Sequence, residues 1–391
     1  MIQYRRAGQG DREAILQLIR RSDSTARSPE TWDGNRMQAV MAHDGDKLIG
    51  VLPVEPRRFA LGGGRSLDLV WISAAHVEPE YRSQGIGSAL DAHLRQAFRH
   101  EAEAVFVYRG DERSAAYRWY KQKLGYHELL PTLSYKKECP NPQPSMAAPV
   151  CWERPEELPG EALLACFSKN TAAFGGFPER RASFWADTFR YHYYREYYRY
   201  RLVALPDAGG GIAAYALLAR TDMRDGVPRL EVLELMAPVS GSRRDELLAA
   251  IWEQARRDQV GEVRIQLSPQ DAHFAWIREQ GFTNRYRSNV MGALFDPWSY
   301  FDRLLTASGV RFRFELETPG GGKHTWGQGE AFLRLFLSDE ALNSLLLQRC
   351  SARQAEAEGR LVLLDGEERG LEILEKVFPL RKWCYFLVDY L

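Results

Sequence analysis

The middle of this sequence repeats its beginning, and that constrains the fold more than any single motif does. The apolar run Val232-Leu233-Glu234-Leu235-Met236-Ala237-Pro238 stands where Val70–Val77 stands in the first part. Asp245–Ile251 then answers Ser88–Leu94, Glu262–Leu267 answers Ala104–Tyr108, and Ala272–Phe282 answers Ala116–Tyr126. Order and spacing agree nearly residue for residue, so the chain is expected to contain two copies of one unit.

In the first copy, Ile2–Arg5 alternates like a short strand, and Asp11 caps a helical run with Ile15, Leu16 and Ile19 on one face. Strand patterns recur at Gln38–Ala42 and Lys47–Val54. The turn Gly62-Gly63-Gly64 leads into a strand Leu67–Val77. A helix is expected from Gly85 to about His100, a buried strand at Ala104–Tyr108, a helix Arg113–Leu124 stopped by Gly125, and a last strand from Tyr126. This order defines an α+β fold with a mixed central sheet flanked by helices. Alternate prolines in Cys139–Pro149 mark a linker, and a second break falls at Asp296-Pro297-Trp298. The expected division is 1–138, a Pro-rich linker 139–149, a second unit 150–296 and a smaller α+β tail 297–391.

With 391 residues the chain is long enough for such an arrangement. Its 52 basic and 52 acidic side chains cancel, which argues against a nucleic-acid or membrane-surface binder. The five cysteines are scattered and include no C-x-x-C pair, so neither a disulfide framework nor a metal site is expected, and a reducing cytoplasm fits. No apolar run has signal-peptide or membrane-spanning character.

The segment with the clearest chemistry is Arg82-Ser83-Gln84-Gly85-Ile86-Gly87, between the Val77 strand end and an amphipathic helix. A helix N-terminus offers unpaired N–H groups and partial positive charge, which suit a phosphate anion. Gly85 and Gly87 clear the backbone, the Ser88 hydroxyl could reach the same oxygens, and Arg82 could add a charge-assisted bond. It is neither a Walker A loop nor a dinucleotide fingerprint. The second copy has Ser242-Arg243-Arg244 near the position of Gly85-Ile86-Gly87, so one copy is expected to bind the ligand and the other not.

Arg82-x-x-Gly85-x-Gly87, followed by Tyr117-x-x-Tyr120-x-x-x-x-Gly125-Tyr126, resembles the GNAT acetyltransferase superfamily, whose pyrophosphate motif reads Q/R-x-x-G-x-G/A. The resemblance implies acetyl-CoA as acyl donor, held by Arg82, Gln84, Gly85, Ile86, Gly87 and Ser88. It further implies that the pantetheine arm lies in a splay between the two parallel strands, against the backbone of Ala75, His76 and Val77. It makes Tyr120 the general acid for the leaving thiolate, with Tyr117, Trp119 and Tyr126 as packing aromatics. In the repeat the counterpart of Tyr120 is Trp276 or Ile277, neither a phenol.

The C-terminus, Arg381 to Leu391, is almost wholly apolar and is expected to bury as a strand or wedge. Two GNAT units followed by a short α+β tail resemble the Eis-like acetyltransferases, whose tail is similar to a sterol carrier protein domain. That resemblance makes the Leu391 carboxylate the general base, though leucine stands where phenylalanine is usual. It also implies homo-oligomeric assembly, a hexamer among the possibilities. Glu78 ranks below Leu391 as base, Asp23 and Trp32 are candidates for the acceptor pocket, and the aromatic run Tyr191–Tyr200 suggests an interface. The acceptor is expected to be a small-molecule or peptide amine. The competing reading is a non-catalytic acyl-CoA sensor or lipid-binding protein.

Overall fold

A computed structural model describes residues 1–22, 38–73, 75–109, 114–139, 149–191, 198–222 and 226–389. The first unit runs β1 (Ile2–Arg6), α1 (Arg12–Ser22), β2 (Gln38–Asp44), β3 (Lys47–Gly62), β4 (Arg65–Ile72) and β5 (His76–Val77). It continues with α2 (Ile86–Phe98), β6 (Ala104–Arg109), α3 (Ala115–Lys123) and β7 (His127–Glu138). The second contains β8 (Val150–Trp152), α4 (Gly160–Thr171), β9 (Phe177–Pro178), α5 (Phe184–Tyr191), β10 (Arg199–Pro206), β11 (Ile212–Thr221) and β12 (Arg229–Met236). It closes with α6 (Arg243–Arg257), β13 (Glu262–Leu267), α7 (Phe274–Glu279) and β14 (Thr283–Leu294). These elements bear out the mixed α+β expectation. The strand expected over Leu67–Val77 is broken instead: β4 ends at Ile72, and β5 pairs only with β3.

The two units do not form separate sheets. Strands follow the order β1-β2-β3-β4-β6-β14-β7-β13-β12-β11-β10-β8 in one continuous sheet. Each unit's last strand lies in its neighbour: β14 pairs antiparallel with β6, and β7 pairs antiparallel with β13. Each unit alone would expose the edge that the other's strand covers, and pairing β14 with β7 satisfies both. The linker residues 140–148 fall outside the described residues.

One face of this sheet carries α2 and α3 over the first unit, where Val70, Ile72, Val105 and Val107 pack against Leu90, Leu94 and Phe98. Over the second unit α6 and α7 do the same for Leu230, Val232 and Ile265. The opposite face, with Phe59, Leu69, Trp71 and Phe106, shares a core with α4, α5 and the tail. The tail comprises α8 (Pro297–Ser308), β15 (Arg313–Glu317), β16 (Lys323–Trp326), β17 (Phe332–Leu337), α9 (Asp339–Leu346), α10 (Ala352–Ala357), β18 (Leu361–Gly366) and α11 (Arg369–Val377). Its four strands form a second sheet in the order β16-β15-β17-β18. Among the described residues no helix is long and apolar enough to cross a membrane.

Candidate active site

The parallel pair β4–β6 is in register from Leu69↔Ala104 to Ile72↔Val107 and then stops. Beyond it the chain turns back on β3, where Val51 faces His76 and Gly50 faces Val77. Tyr108 and Arg109 therefore continue β6 without a β4 partner, and the two strands part into a cleft. Ala75 is exposed at its lip, the His76 side chain is buried, and the Val77 carbonyl accepts from Arg82 Nε at 3.0 Å.

At the mouth of this cleft, Ser83 and Gly85 adopt left-handed backbone (φ +63° and +81°), which turns the chain abruptly into α2. No side chain caps that helix, and its first turn carries no acidic residue. The first intrahelical bond runs from Ala89 N–H to Gly85, so the amides before it point outward. This is an anion-receptive end on a helix of 13 residues. Gln84 donates to the Glu80 carbonyl at 2.8 Å, and the Ile86 side chain is buried in the core, so only its backbone serves the loop.

The two glycines do different work. A Cβ on Gly85 would meet nothing within 4 Å, whereas one on Gly87 would lie 2.8 Å from Trp119 Cζ2. Gly85 supplies a backbone conformation, and Gly87 lets α3 press against the start of α2. Trp119 also donates to Ser88 Oγ at 3.3 Å, which engages the hydroxyl expected for phosphate.

This contact brings Tyr120 to the cleft. Its ring is fully buried, edge-on to Trp119 and Tyr126 at 4.6 and 5.0 Å between centroids. Tyr126 is held in turn by Asp91, to which its hydroxyl donates at 2.7 Å. The Arg109 guanidinium stands 4.8 Å over the Tyr120 ring, with Nη2 donating to the hydroxyl at 3.4 Å. Burial pushes the Tyr120 phenol above its usual value, while the Arg109 charge pulls it down. Tyr117 is spent elsewhere, its hydroxyl donating to Glu128.

The second unit answers this arrangement without its chemistry. Trp276 Nε1 donates to Asp245 Oδ1 at 2.9 Å, as Trp119 does to Ser88, so Trp276 is the structural partner of Trp119 and Ile277 that of Tyr120. Arg244, at the sequence position of Gly87, lies 5.4 Å over the Trp276 ring. Where α2 opens on glycines, α6 opens on Arg243-Arg244-Asp245-Glu246, with Arg243 donating to Glu246 at 2.8 Å, so its first turn is crowded with paired side chains.

The C-terminal segment is a buried wedge rather than a strand. Trp383 joins Gly175 in a single parallel bridge and packs on Phe59 and Phe106, and Leu387–Asp389 forms one short turn. Arg180 donates to Asp389 at 3.0 and 3.1 Å and also to Glu234, all three side chains lying fully out of solvent. Burial raises the Asp389 carboxyl to about 6, with Arg180 opposing and Glu234 adding to the rise. Arg57 on β3 donates to the Asp389 carbonyl and, at 2.8 Å, to Glu55. Glu55 is paired with Trp71, next to the end of β4. Leu391 lies outside the described residues, as do Asp23, Trp32 and 192–197 of the aromatic run. Glu78 is buried and takes two bonds from Arg21, at 2.9 and 3.1 Å.

Sequence reasoning did not single out Arg109, Arg57, Glu55 or Arg180. Only the position of Arg109 at the end of β6 carried any signal; Arg57 and Arg180 meet Asp389 from more than 200 residues away along the chain, and Glu55 joins them through Arg57. Among the described residues no group of three or more His, Cys, Asp or Glu side chains converges on one point.

A split parallel pair with an uncapped helix at its mouth, present twice in one sheet, is a tandem GNAT architecture. Residues 13–126 match the sequence model of the acetyltransferase (GNAT) family. No curated protein matches the sequence. A GCN5-related N-acetyltransferase from Anabaena variabilis shares the fold over 100% of both chains, with TM-score 0.71 and 17% identity. Eis1 from Mycobacterium abscessus does so over 98% of each chain, with TM-score 0.63 and 14% identity. A tandem GNAT protein from the clavulanic acid biosynthesis pathway covers 76% of this chain and 99% of its own, with TM-score 0.52 and 15% identity. Identities this low establish a common fold, and it is a fold that supports acyl transfer.

Proposed function

We propose that the chain is an N-acetyltransferase that moves acetyl from acetyl-CoA to a primary amine by direct attack. The observation that carries this reading is the convergence, in the first unit alone, of an uncapped helix N-terminus, a parted β4–β6 pair and a buried phenol. The amides of Arg82–Ser88 receive the pyrophosphate, and the β5 backbone at Ala75–Val77 receives the pantetheine arm. The amine nitrogen bonds to the thioester carbon, the carbon–sulfur bond breaks, and Tyr120 protonates the departing sulfur. The Leu391 carboxylate takes the amine's proton; the buried path to Asp389, beside Arg57, supports that assignment. In this reading 1–138 is catalytic and 150–296 is a unit that takes no coenzyme, since Ile277 replaces the phenol and Ser242-Arg243-Arg244 replaces Gly85-Ile86-Gly87. Residues 297–391 form the sterol-carrier-like tail. The exposed edge strand Val362-Leu363-Leu364 supports homo-oligomeric assembly.

The test is thiol release from acetyl-CoA across amines of several classes: aminoglycosides, polyamines, lysine and N-terminal peptide amines. Coenzyme binding by titration without turnover on any of them would point to a sensor instead. Appending residues after Leu391 should lower turnover about a hundredfold with the fold intact. Unchanged turnover would remove the terminal carboxylate from the mechanism.

A further inference from the structure

Strand exchange places a side chain of the second unit beside the first unit's candidate site. Asn289 of β14 lies directly opposite Arg109 of β6, and directly opposed residues project to the same face of a sheet. That face is the one on which the Arg109 guanidinium covers Tyr120, as the next alternating pair confirms: Met291 and Val107 share the core beneath α2 and α3. Asn289 is 0% exposed, yet neither its amide nitrogen nor its amide oxygen has a hydrogen-bond partner. Arg109 Nε is likewise buried without one.

An amide left in this state costs on the order of a hydrogen bond or more, and such orphans are rare unless something else supplies the partners. Asn289 stands between Arg109 of β6 and Pro131 of β7, and its side-chain amide bonds to neither strand. The orphaned groups comprise an amide N–H₂, an amide oxygen and a guanidinium N–H, side by side past the point where β4 leaves β6. A primary carboxamide can donate to and accept from a secondary amide at the same time.

We infer that Asn289 binds the acyl donor in the first unit's site, pairing with the pantetheine amide nearest the sulfur, so that the second unit completes the site of the first. The inference rests on the reading of the first unit as a coenzyme A binder. The amide in question is two carbons from the sulfur that Tyr120 must reach, which puts its partner next to Tyr120 and Arg109. The second unit is then more than a support, because its last strand carries a ligand contact that the first unit lacks.

Titration calorimetry on the full chain tests this with two probes, coenzyme A and adenosine 3′,5′-bisphosphate, the nucleotide end without the arm. Asn289→Leu should weaken coenzyme A binding about tenfold, the worth of one good hydrogen bond, and leave the nucleotide's affinity unchanged. Its thermal midpoint should not fall, since no protein partner is lost; Asn289→Ala serves where the branched side chain disturbs packing. Equal coenzyme A affinity in the variants overturns the inference, as do equal losses for both probes or a fall in midpoint in both variants. Failure of the unsubstituted chain to bind coenzyme A overturns the reading beneath it instead.

Discussion

At Tyr120, burial and a neighbouring cation act on one phenol in opposite directions. Burial raises the phenol and keeps its proton on oxygen at neutral pH, and the Arg109 charge pulls it down, which in the proposed mechanism favours transfer to the departing sulfur. Tyr120→Phe is therefore expected to lower kcat about a hundredfold and leave the donor's KM within about twofold, measured by steady-state thiol release. A second residue reports on stability. Burial raises the Asp271 carboxyl to about 6, with the His273 backbone N–H opposing. A carboxyl raised on folding contributes stability fully present below its unfolded value near 4 and lost as pH rises through about 6. Asp271→Asn should thus match the unsubstituted chain near pH 4 and exceed it at pH 8, by at most about 3 kcal/mol. Denaturant unfolding at the two pH values measures the difference; a variant less stable at pH 8 would refute it. His273, lowered to about 4 chiefly by burial, acts in the opposite sense in both proteins and cancels from the comparison.

At the scale of elements, α2 and α3 are set by one close approach. Gly87→Ala puts a methyl group 2.8 Å from Trp119 Cζ2 and should force the helices apart at a cost of about 1–3 kcal/mol. The donor's KM should rise in step, because the same movement shifts the amides at the start of α2. Combining Gly87→Ala with Trp119→Leu should recover most of the stability, and a double-mutant cycle over the two sites measures the coupling. Additive effects would show that the contact is not what sets the helices. The glycine pattern was legible in the sequence, since Gly85 and Gly87 precede an amphipathic run. Their separate duties were not, because a motif records residue types and not which neighbour a missing Cβ makes room for. The break in β4 was equally hidden. Val70 to Val77 is apolar enough for one strand, and only the loss of the β6 partner after Ile72 divides it.

For the whole molecule, the buried trio Arg180, Glu234 and Asp389 ties the C-terminal wedge to the second unit, with Trp185 and Tyr215 donating to Glu234. Arg180→Met leaves two carboxylates buried without their cation and should cost about 3–5 kcal/mol in chemical denaturation. The triple variant Arg180→Met, Glu234→Leu, Asp389→Leu should recover much of that loss, because no buried charge then remains. Equal stability of the single variant and the unsubstituted chain would show that the trio does not anchor the wedge. The sequence by itself determined that one unit occurs twice, that each is an α+β unit with a mixed sheet, and that only the first retains the loop and the phenol. These follow from periodicity, glycine placement and side-chain chemistry, all local in the chain. Tertiary structure alone decided that the units exchange their last strands, that Asn289 and Arg109 meet, and that the C-terminal segment threads to Arg57 and Arg180. Those pairings span tens to hundreds of residues and are chosen by which open edges and buried charges can satisfy one another once the sheet has formed. A linear pattern holds no record of that choice.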